Sequence, residues 1–255
     1  MEPYVLTGAA GDVVTLTLNR GERMNPLSSE MIAALETALG SIGNARAVVL
    51  AASGRAFSAG HDLKEMRAHS SDHPWQAKLF DDCNRLMVGL TRLPVPVIAR
   101  VHGIATAAGC QLVSMCDLAV ASEEARFALP GVNVGVFCTT PAVGVVRNVG
   151  RKRSMELLLT GEPIDARTAL SWGLVNRVVP AAELDREIAR FTGIICARSR
   201  EVIAEGKRAF YEQVDRSLSG AYQMAGESMA RGLMHHDAAE GIDAFLGKRP
   251  AKFTT

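Results

Sequence analysis

Aromatic residues are scarce in this chain, 5% of the total, and no basic stretch is interleaved with them. The formal net charge is only +1, so nothing in the charge calls for a nucleic acid or an anionic membrane as partner. RNA binding is disfavoured on the same ground. Cysteine is thin as well: Cys83, Cys110, Cys116, Cys138 and Cys196 are odd in number, scattered and without C-x-x-C spacing. That pattern suits reduced thiols and argues against both a disulfide framework and a metal site. No apolar run reaches the roughly 18 residues needed to span a bilayer. The N-terminus, MEPYVLTGAAGDVV, lacks a basic segment followed by an apolar one. These absences together lead us to expect a cytoplasmic protein. Low-complexity tracts and fixed-period repeats are also missing.

What is present is the balance of a soluble globular protein: 255 residues, 48% hydrophobic and 22% charged, enough for one large domain or two small ones. Up to about residue 180, short β-branched runs (13–18, 47–51, 95–101, 118–121 and 174–179) alternate with helical patterns, which favours α/β units with buried parallel pairing. After Pro180 the pattern predicts helices over 183–196, 200–214, 218–235 and 238–246. These have no obvious sheet to cover, so they form a helical subdomain or pack on another subunit. Asp72-His73-Pro74 reads as a surface loop between two helices.

Two segments have the shape of a strand running into a turn of small residues and then a helix. In "GRAFSAGHDLKEM" (54–66), Gly60 precedes Asp62-Leu63-Lys64-Glu65, a D-x-x-E capping box. In "GIATAAGCQLVSM" (103–115), Ala105, Ala107, Ala108 and Gly109 precede the helix. Such turns leave backbone N–H groups free to bind an anion or a developing negative charge, although an ordinary well-capped turn also accounts for each segment alone. If the two turns face each other, Ala59 and Ala108 jointly polarise one carbonyl oxygen. Ala56-Phe57-Ser58-Ala59-Gly60 falls one glycine short of the G-x-S-x-G nucleophile elbow and no His or Asp declares itself as partner, so Ser58 reads as a small residue that lets backbones approach.

Five motifs in order resemble the crotonase (enoyl-CoA hydratase/isomerase) superfamily: Leu18-Asn19-Arg20 with Met24-Asn25-Pro26-Leu27; Phe57 through Leu63; His102-Gly103 through Cys116-Asp117; Leu159 through Glu162 with Gly173-Leu174-Val175; and Glu240-Gly241-Ile242 with Phe245 and Lys248-Arg249-Pro250. The resemblance implies an α/β, crotonase-like spiral of ββα repeats (1–195) with a C-terminal helical trimerisation region (196–255). It also implies a homotrimer or homohexamer that binds an acyl-CoA thioester, with no cofactor beyond the CoA moiety of the substrate. It puts the thioester oxygen between the N–H groups of Ala59 and Ala108, and CoA along His61, Asp62 and Leu63, with Arg23, Phe245 and Lys248 as further contacts.

Family hydratases place and activate water with two glutamates, and the resemblance assigns those positions to Gln111 and Gly131. An amide holds water but accepts no proton near neutral pH, and glycine does neither. The same replacements mark a branch of the superfamily, the enoyl-CoA hydratase domain-containing proteins, which the stretch from Gly131 to Thr140 resembles. A replacement acid or base is then sought at His61, Cys138, His102 or Asp62, with His61 first. Cys138 also reads as a buried, inert thiol, and Asp117 as the holder of a structural hydrogen bond. The expectation is an enoyl-CoA hydratase/isomerase-like protein working through an oxyanion hole, by hydration, isomerisation or thioester hydrolysis. The alternative is a non-catalytic acyl-CoA carrier or sensor.

Overall fold

Short apolar runs separated by tight turns pair into two sheets in the computed structural model of this protein, which describes residues 2–254. In chain order come β1 (Val5–Ala10), β2 (Val13–Leu18), α1 (Ser29–Leu39), β3 (Ala47–Ala52), β4 (Ala56–Ser58), α2 (Leu63–Ala68) and α3 (His73–Arg92). Next are β5 (Val97–Val101), β6 (Ile104–Thr106), α4 (Ala108–Met115), β7 (Leu118–Ser122), β8 (Arg126–Ala128), α5 (Thr139–Val149) and α6 (Arg151–Thr160). The last are β9 (Ile164–Asp165), α7 (Ala166–Trp172), β10 (Arg177–Val179), α8 (Leu184–Cys196), α9 (Arg200–Gln213), α10 (Leu218–Gly232) and α11 (His236–Leu246).

The larger sheet has the order β1-β2-β3-β5-β7-β10 and is antiparallel only between β1 and β2. The smaller has the order β4-β6-β8-β9 and is antiparallel only between β8 and β9. The chain repeatedly lays one strand in the larger sheet and the next in the smaller, then leaves through a helix, as in β3-β4-α2, β5-β6-α4 and β7-β8-α5. This is the expected spiral of ββα repeats. Its consequence for function is local: β4 and β6 are parallel neighbours, with Ser58 paired to Ala105, so the turns that follow them stand side by side.

Alternation along the strands divides the core. Val48, Leu50, Val97 and Ala99 join the main cluster, whereas Val49, Ile98 and Val120 emerge on the opposite face under Leu184 and Ile188 of α8. The expectation that the last helices find no sheet is therefore corrected, because α8 covers the back of the larger one. Asp72-His73-Pro74 is not a loop either: the Asp72 carboxylate accepts the Trp75 N–H at 3.1 Å and caps α3. Pro74 falls in the first turn, where its missing N–H leaves no helical bond unmade. The run 174–179 shortens to β10 because Gly173, at φ 89°, ends α7 and the Leu174 N–H goes to the Ala169 carbonyl instead of a neighbouring strand. No helix among the described residues is long and apolar enough to cross a membrane.

A buried ion pair ties α9 to the sheet. Lys207 Nζ lies 2.6 Å from Asp117 Oδ2 and also donates to the carbonyls of Leu90 and Val95, each at 2.9 Å. The Asp117 carboxylate accepts the Val97 N–H at 2.7 Å and the Tyr211 hydroxyl at 3.0 Å, the structural role expected of it. Burial and the Asp117 charge hold the Tyr211 hydroxyl well above its ordinary range, so it stays a donor at neutral pH. The Lys207 side chain is only 6% exposed, and removing one partner leaves a charge with little water to replace it. We expect Lys207→Met to cost about 3–5 kcal/mol in urea unfolding, more than Lys78→Met at an exposed surface pair, which should cost under about 1 kcal/mol. Equal losses would show that the buried network does not hold α9.

Candidate functional site

Two glycines let the turn after β4 meet the turn after β6. A Cβ on Gly60 would lie 2.9 Å from the Ala107 Cβ and 3.1 Å from the Ala108 nitrogen, and one on Gly109 would lie 2.4 Å from the Ser58 carbonyl oxygen. Neither position accommodates a side chain. Thr106 Oγ1 crosses the same seam to the Ala59 carbonyl at 3.1 Å. The two turns do face each other, as the paired motifs predict.

Ala107 makes the second turn abrupt. Its N–H donates to the Ala128 carbonyl at 2.9 Å, while its own carbonyl accepts the Gln111 N–H at 3.0 Å, so one residue ends β6 and starts α4. The backbone stands at φ 49° and ψ −121°, a region alanine rarely occupies and which costs on the order of 1–3 kcal/mol. What the strain secures is a helix beginning directly against Gly60.

The loop before α1 zips along the first turn. Met24 and Asn25 both have positive φ, 62° and 49°. The Ala59 N–H donates to the Met24 carbonyl at 2.9 Å, Ser58 Oγ to the Asn25 carbonyl at 2.8 Å, and the Leu27 N–H to the Gly60 carbonyl at 2.8 Å. Fully buried Asn25 holds the loop in shape, accepting the Arg20 N–H and donating to the carbonyls of Ser53 and Ala56. Asn25 stands in the first family motif, but its role as the clamp of this loop rests on bonds to Arg20, Ser53 and Ala56 that residue type alone does not reveal. Ser58 does let Gly109 approach, but its hydroxyl also has two partners, Asn25 and the Gly60 N–H.

These bonds correct one expectation. Ala59 is not an available donor, because Met24 takes its N–H. Two N–H groups at the junction stand without an acceptor among the described residues: that of His61, immediately after Gly60, whose bridge to Leu27 runs through the Leu27 N–H instead, and that of Ala108, the first residue of α4. Two such donors, beside the positive end of a helix, suit an oxygen that carries or develops negative charge.

Side chains around them are mostly committed. Asp62 accepts the N–H groups of Lys64 and Glu65 and pairs with Arg23 at 2.8 Å. Only half of the capping box forms, since the Glu65 carboxylate accepts the Ser29 N–H instead of reaching back. Leu63 is exposed beside this pair. His61 places Nδ1 3.1 Å from the Leu27 carbonyl and sets its ring edge-on to Phe80 at 5.3 Å, leaving Nε2 buried without a partner. Gln111, one turn into α4, is 3% exposed, and its Oε1 is likewise buried and unpartnered. Side chains on a helix lean toward its N-terminus, so Gln111 lies over the turn that carries the Ala108 N–H.

Gly131 sits in a 3-10 turn before α5 and is closed in. A Cβ there would meet the Val136 carbonyl oxygen at 2.7 Å and Cys138 Sγ at 2.8 Å. Burial raises the Cys138 thiol above its usual range, with the Gly131 N–H bonded to the sulfur only partly opposing it. Burial likewise pushes the Cys110 thiol up to about 12, with Cys138 adding to the shift. Both are thiols, not thiolates, at neutral pH. His102 donates its Nε2–H to the Gly54 carbonyl, 2.8 Å away, at the end of β6 remote from Ala108. Phe245 and Lys248 stand apart, on α11 and the turn after it; Phe245 lines a groove of about 640 Å³ between α9, α10 and α11.

Comparison with known proteins agrees with this architecture. The profile of the family described as enoyl-CoA hydratase/isomerase matches residues 8–255. The chain is 45% identical over 242 residues to the enoyl-CoA hydratase domain-containing protein 3, mitochondrial, of Xenopus laevis, covering 94% of this chain and 82% of the relative. Its human counterpart is 43% identical over 237 residues, covering 92% and 78%. Among solved structures, an enoyl-CoA hydratase from Mycobacterium smegmatis superposes with a TM-score of 0.97 at 53% identity over the whole of both chains. The human domain-containing protein 3 gives 0.92 at 40%, covering 98% and 100%. The frog and human relatives are named as mitochondrial proteins, which overturns the expectation of a cytoplasmic protein drawn from the N-terminal sequence.

The crowding at Gly131 yields a direct test. Gly131→Glu should lower stability by about 1–3 kcal/mol or more, read as a drop in melting temperature. Adding Cys138→Ala should recover only part of the loss, because the Val136 carbonyl is main chain. Full recovery would mean that the thiol alone closes the position.

Proposed function

The chain belongs to the enoyl-CoA hydratase/isomerase family, and from that membership we propose that it binds an acyl-CoA thioester with the carbonyl oxygen between the backbone N–H groups of His61 and Ala108. The observation that carries this reading is the pair of unpartnered donors that the Gly60 and Gly109 contacts bring together. Each donor is backbone, fixed by the fold, and costs no reorganisation as charge grows on the oxygen. Arg23, Asp62 and Leu63 form the rim along which the CoA moiety lies. Phe245 and Lys248 complete it from a neighbouring copy in a homotrimer or homohexamer, in keeping with the exposed apolar face of Phe210, Tyr222, Met229, Leu233 and Phe245.

The reaction class is hydratase/isomerase-like, with an enolate or enolate-like transition state as the common element. Addition of water by a pair of carboxylates is not part of the reading, since Gln111 transfers no proton at neutral pH and the backbone at Val136 closes the space beside Gly131. That same observation favours a second reading, a carrier that holds acyl-CoA without converting it.

Calorimetry with butyryl-CoA and S-butyl-CoA tests the binding mode, because the second has a methylene where the first has its carbonyl. Two hydrogen bonds at about 1 kcal/mol each predict 10- to 30-fold tighter binding of the thioester. Equal affinity would remove the donor pair from the reading. Crotonyl-CoA and butyryl-CoA incubated in isotopically labelled water separate the two readings: label in either thioester by mass spectrometry marks an enzyme, and binding without label marks a carrier.

A further inference from the structure

We propose that His61 is a catalytic residue, its Nε2 taking the proton from the α carbon of the bound acyl group while its own backbone N–H holds the thioester oxygen. The proposal rests on the acyl-CoA reading above and goes further by naming the proton acceptor. In the step, the α C–H bond breaks, its electron pair moves into the thioester to give an enolate oxygen at the two N–H groups, and the proton passes to Nε2. The return step delivers a proton from Nε2 to the same carbon.

The tautomer and the anchoring of the ring follow from its contacts. The Leu27 carbonyl can only accept, so Nδ1, at 3.1 Å, carries the hydrogen of the neutral ring and Nε2 is left with its lone pair. That carbonyl is itself fixed, since the Leu27 N–H is bonded to Gly60. The edge-on contact with Phe80 sets the ring plane from the other side. Nε2 is buried and has no donor among the described residues, a costly state for a polar atom unless a ligand completes it. Burial holds the imidazole below the ordinary histidine range, outweighing the Leu27 bond and the charge of Glu65, so the neutral, accepting form prevails at neutral pH. The charged groups about it are Glu65, whose carboxylate accepts the Ser29 N–H, and the Asp62 and Arg23 pair.

The other candidates fall away. Gln111 is an amide, the Cys110 and Cys138 thiols are held protonated, Asp62 is occupied by three donors, and His102 lies at the far end of β6. Proton transfer by a placed side chain is typically worth about 10²- to 10⁴-fold.

The experiment follows exchange of the α hydrogens of butyryl-CoA in D2O by mass spectrometry, together with calorimetric binding of the same compound. His61→Asn keeps a side-chain N–H for the Leu27 carbonyl and the backbone N–H, and lacks only the base. It should bind within about threefold of wild type and exchange at least 100-fold more slowly. The wild-type exchange rate should fall on acidification with a midpoint below the ordinary value of about 6.5, as the ring gains its second proton, a limb the variant lacks. The wild-type profile serves by itself if His61→Asn does not fold, since an exchange rate that shows no fall on acidification throughout the range in which the protein still binds butyryl-CoA overturns the assignment. Exchange by His61→Asn within fivefold of wild type, or wild-type binding with no exchange, also overturns it while leaving the binding reading in place. Failure of wild type to bind butyryl-CoA overturns both.

Discussion

The site depends on one close approach. Ser58 to Gly60 and Ala107 to Gly109 touch backbone to backbone, and a methyl group at either glycine would separate them. Everything the site offers follows from that contact: the N–H groups of His61 and Ala108 come together, the helix that begins at Ala108 points its positive end into the junction, and Gln111 lies above it. The cost is visible in the same place, in the strained backbone of Ala107. It is offset by ladder bonds on both sides and by the Met24 to Leu27 loop, which holds the first turn through the carbonyls of Met24 and Asn25, the Leu27 N–H and the Asn25 amide.

How much of this was legible in the sequence depends on the length of each signal. In the larger sheet β3 is an unbroken run of Ala, Val and Leu buried on both faces and β5 is nearly so, and such runs are readable without structure, whereas the exposed edge strand β1, with its Thr7 and Gly8, carries no such signal. The smaller sheet is built from strands of two or three residues, such as β4 and β6, too short for any periodicity to register. The family motifs located the two turns and the facing arrangement. They did not settle which N–H is free, because that depends on the partner of Ala59, a carbonyl 35 residues earlier in the chain at Met24. Hydrogen bonds between distant backbone groups leave no trace in residue type. The crowding of Gly131 is hidden for the same reason, since it comes from a carbonyl and a thiol five and seven residues further on, folded back by the turn before α5.

The C-terminal helices divide into two kinds by what they bury. α8 presents Leu184 and Ile188 to the back of the larger sheet and belongs to the core. α9 is held by the Lys207 and Asp117 pair, a contact with few alternatives once water is excluded, and α10 and α11 then extend outward with Met229, Leu233 and Phe245 exposed. Exposed apolar surface of this kind is what the proposed assembly would cover. Under the proposed assembly, the ion pair that fixes α9 also sets where one copy reaches another's site.

The chemistry of the site can be read as a balance of unfilled hydrogen-bond positions. Among the described residues, the N–H groups of His61 and Ala108 are donors without acceptors, and His61 Nε2 and Gln111 Oε1 are acceptors without donors. A buried site in this state is incomplete, since each open position costs roughly 1–3 kcal/mol that a ligand can recover. A thioester carbonyl satisfies the donors but brings no hydrogen for the acceptors. Those are met by a proton in transit from the acyl chain, or by water held against the amide. In a site whose nearest carboxylates, Asp62 and Glu65, are already spoken for by helix caps and Arg23, the imidazole that shares a residue with one of the donors is the group left to move that proton.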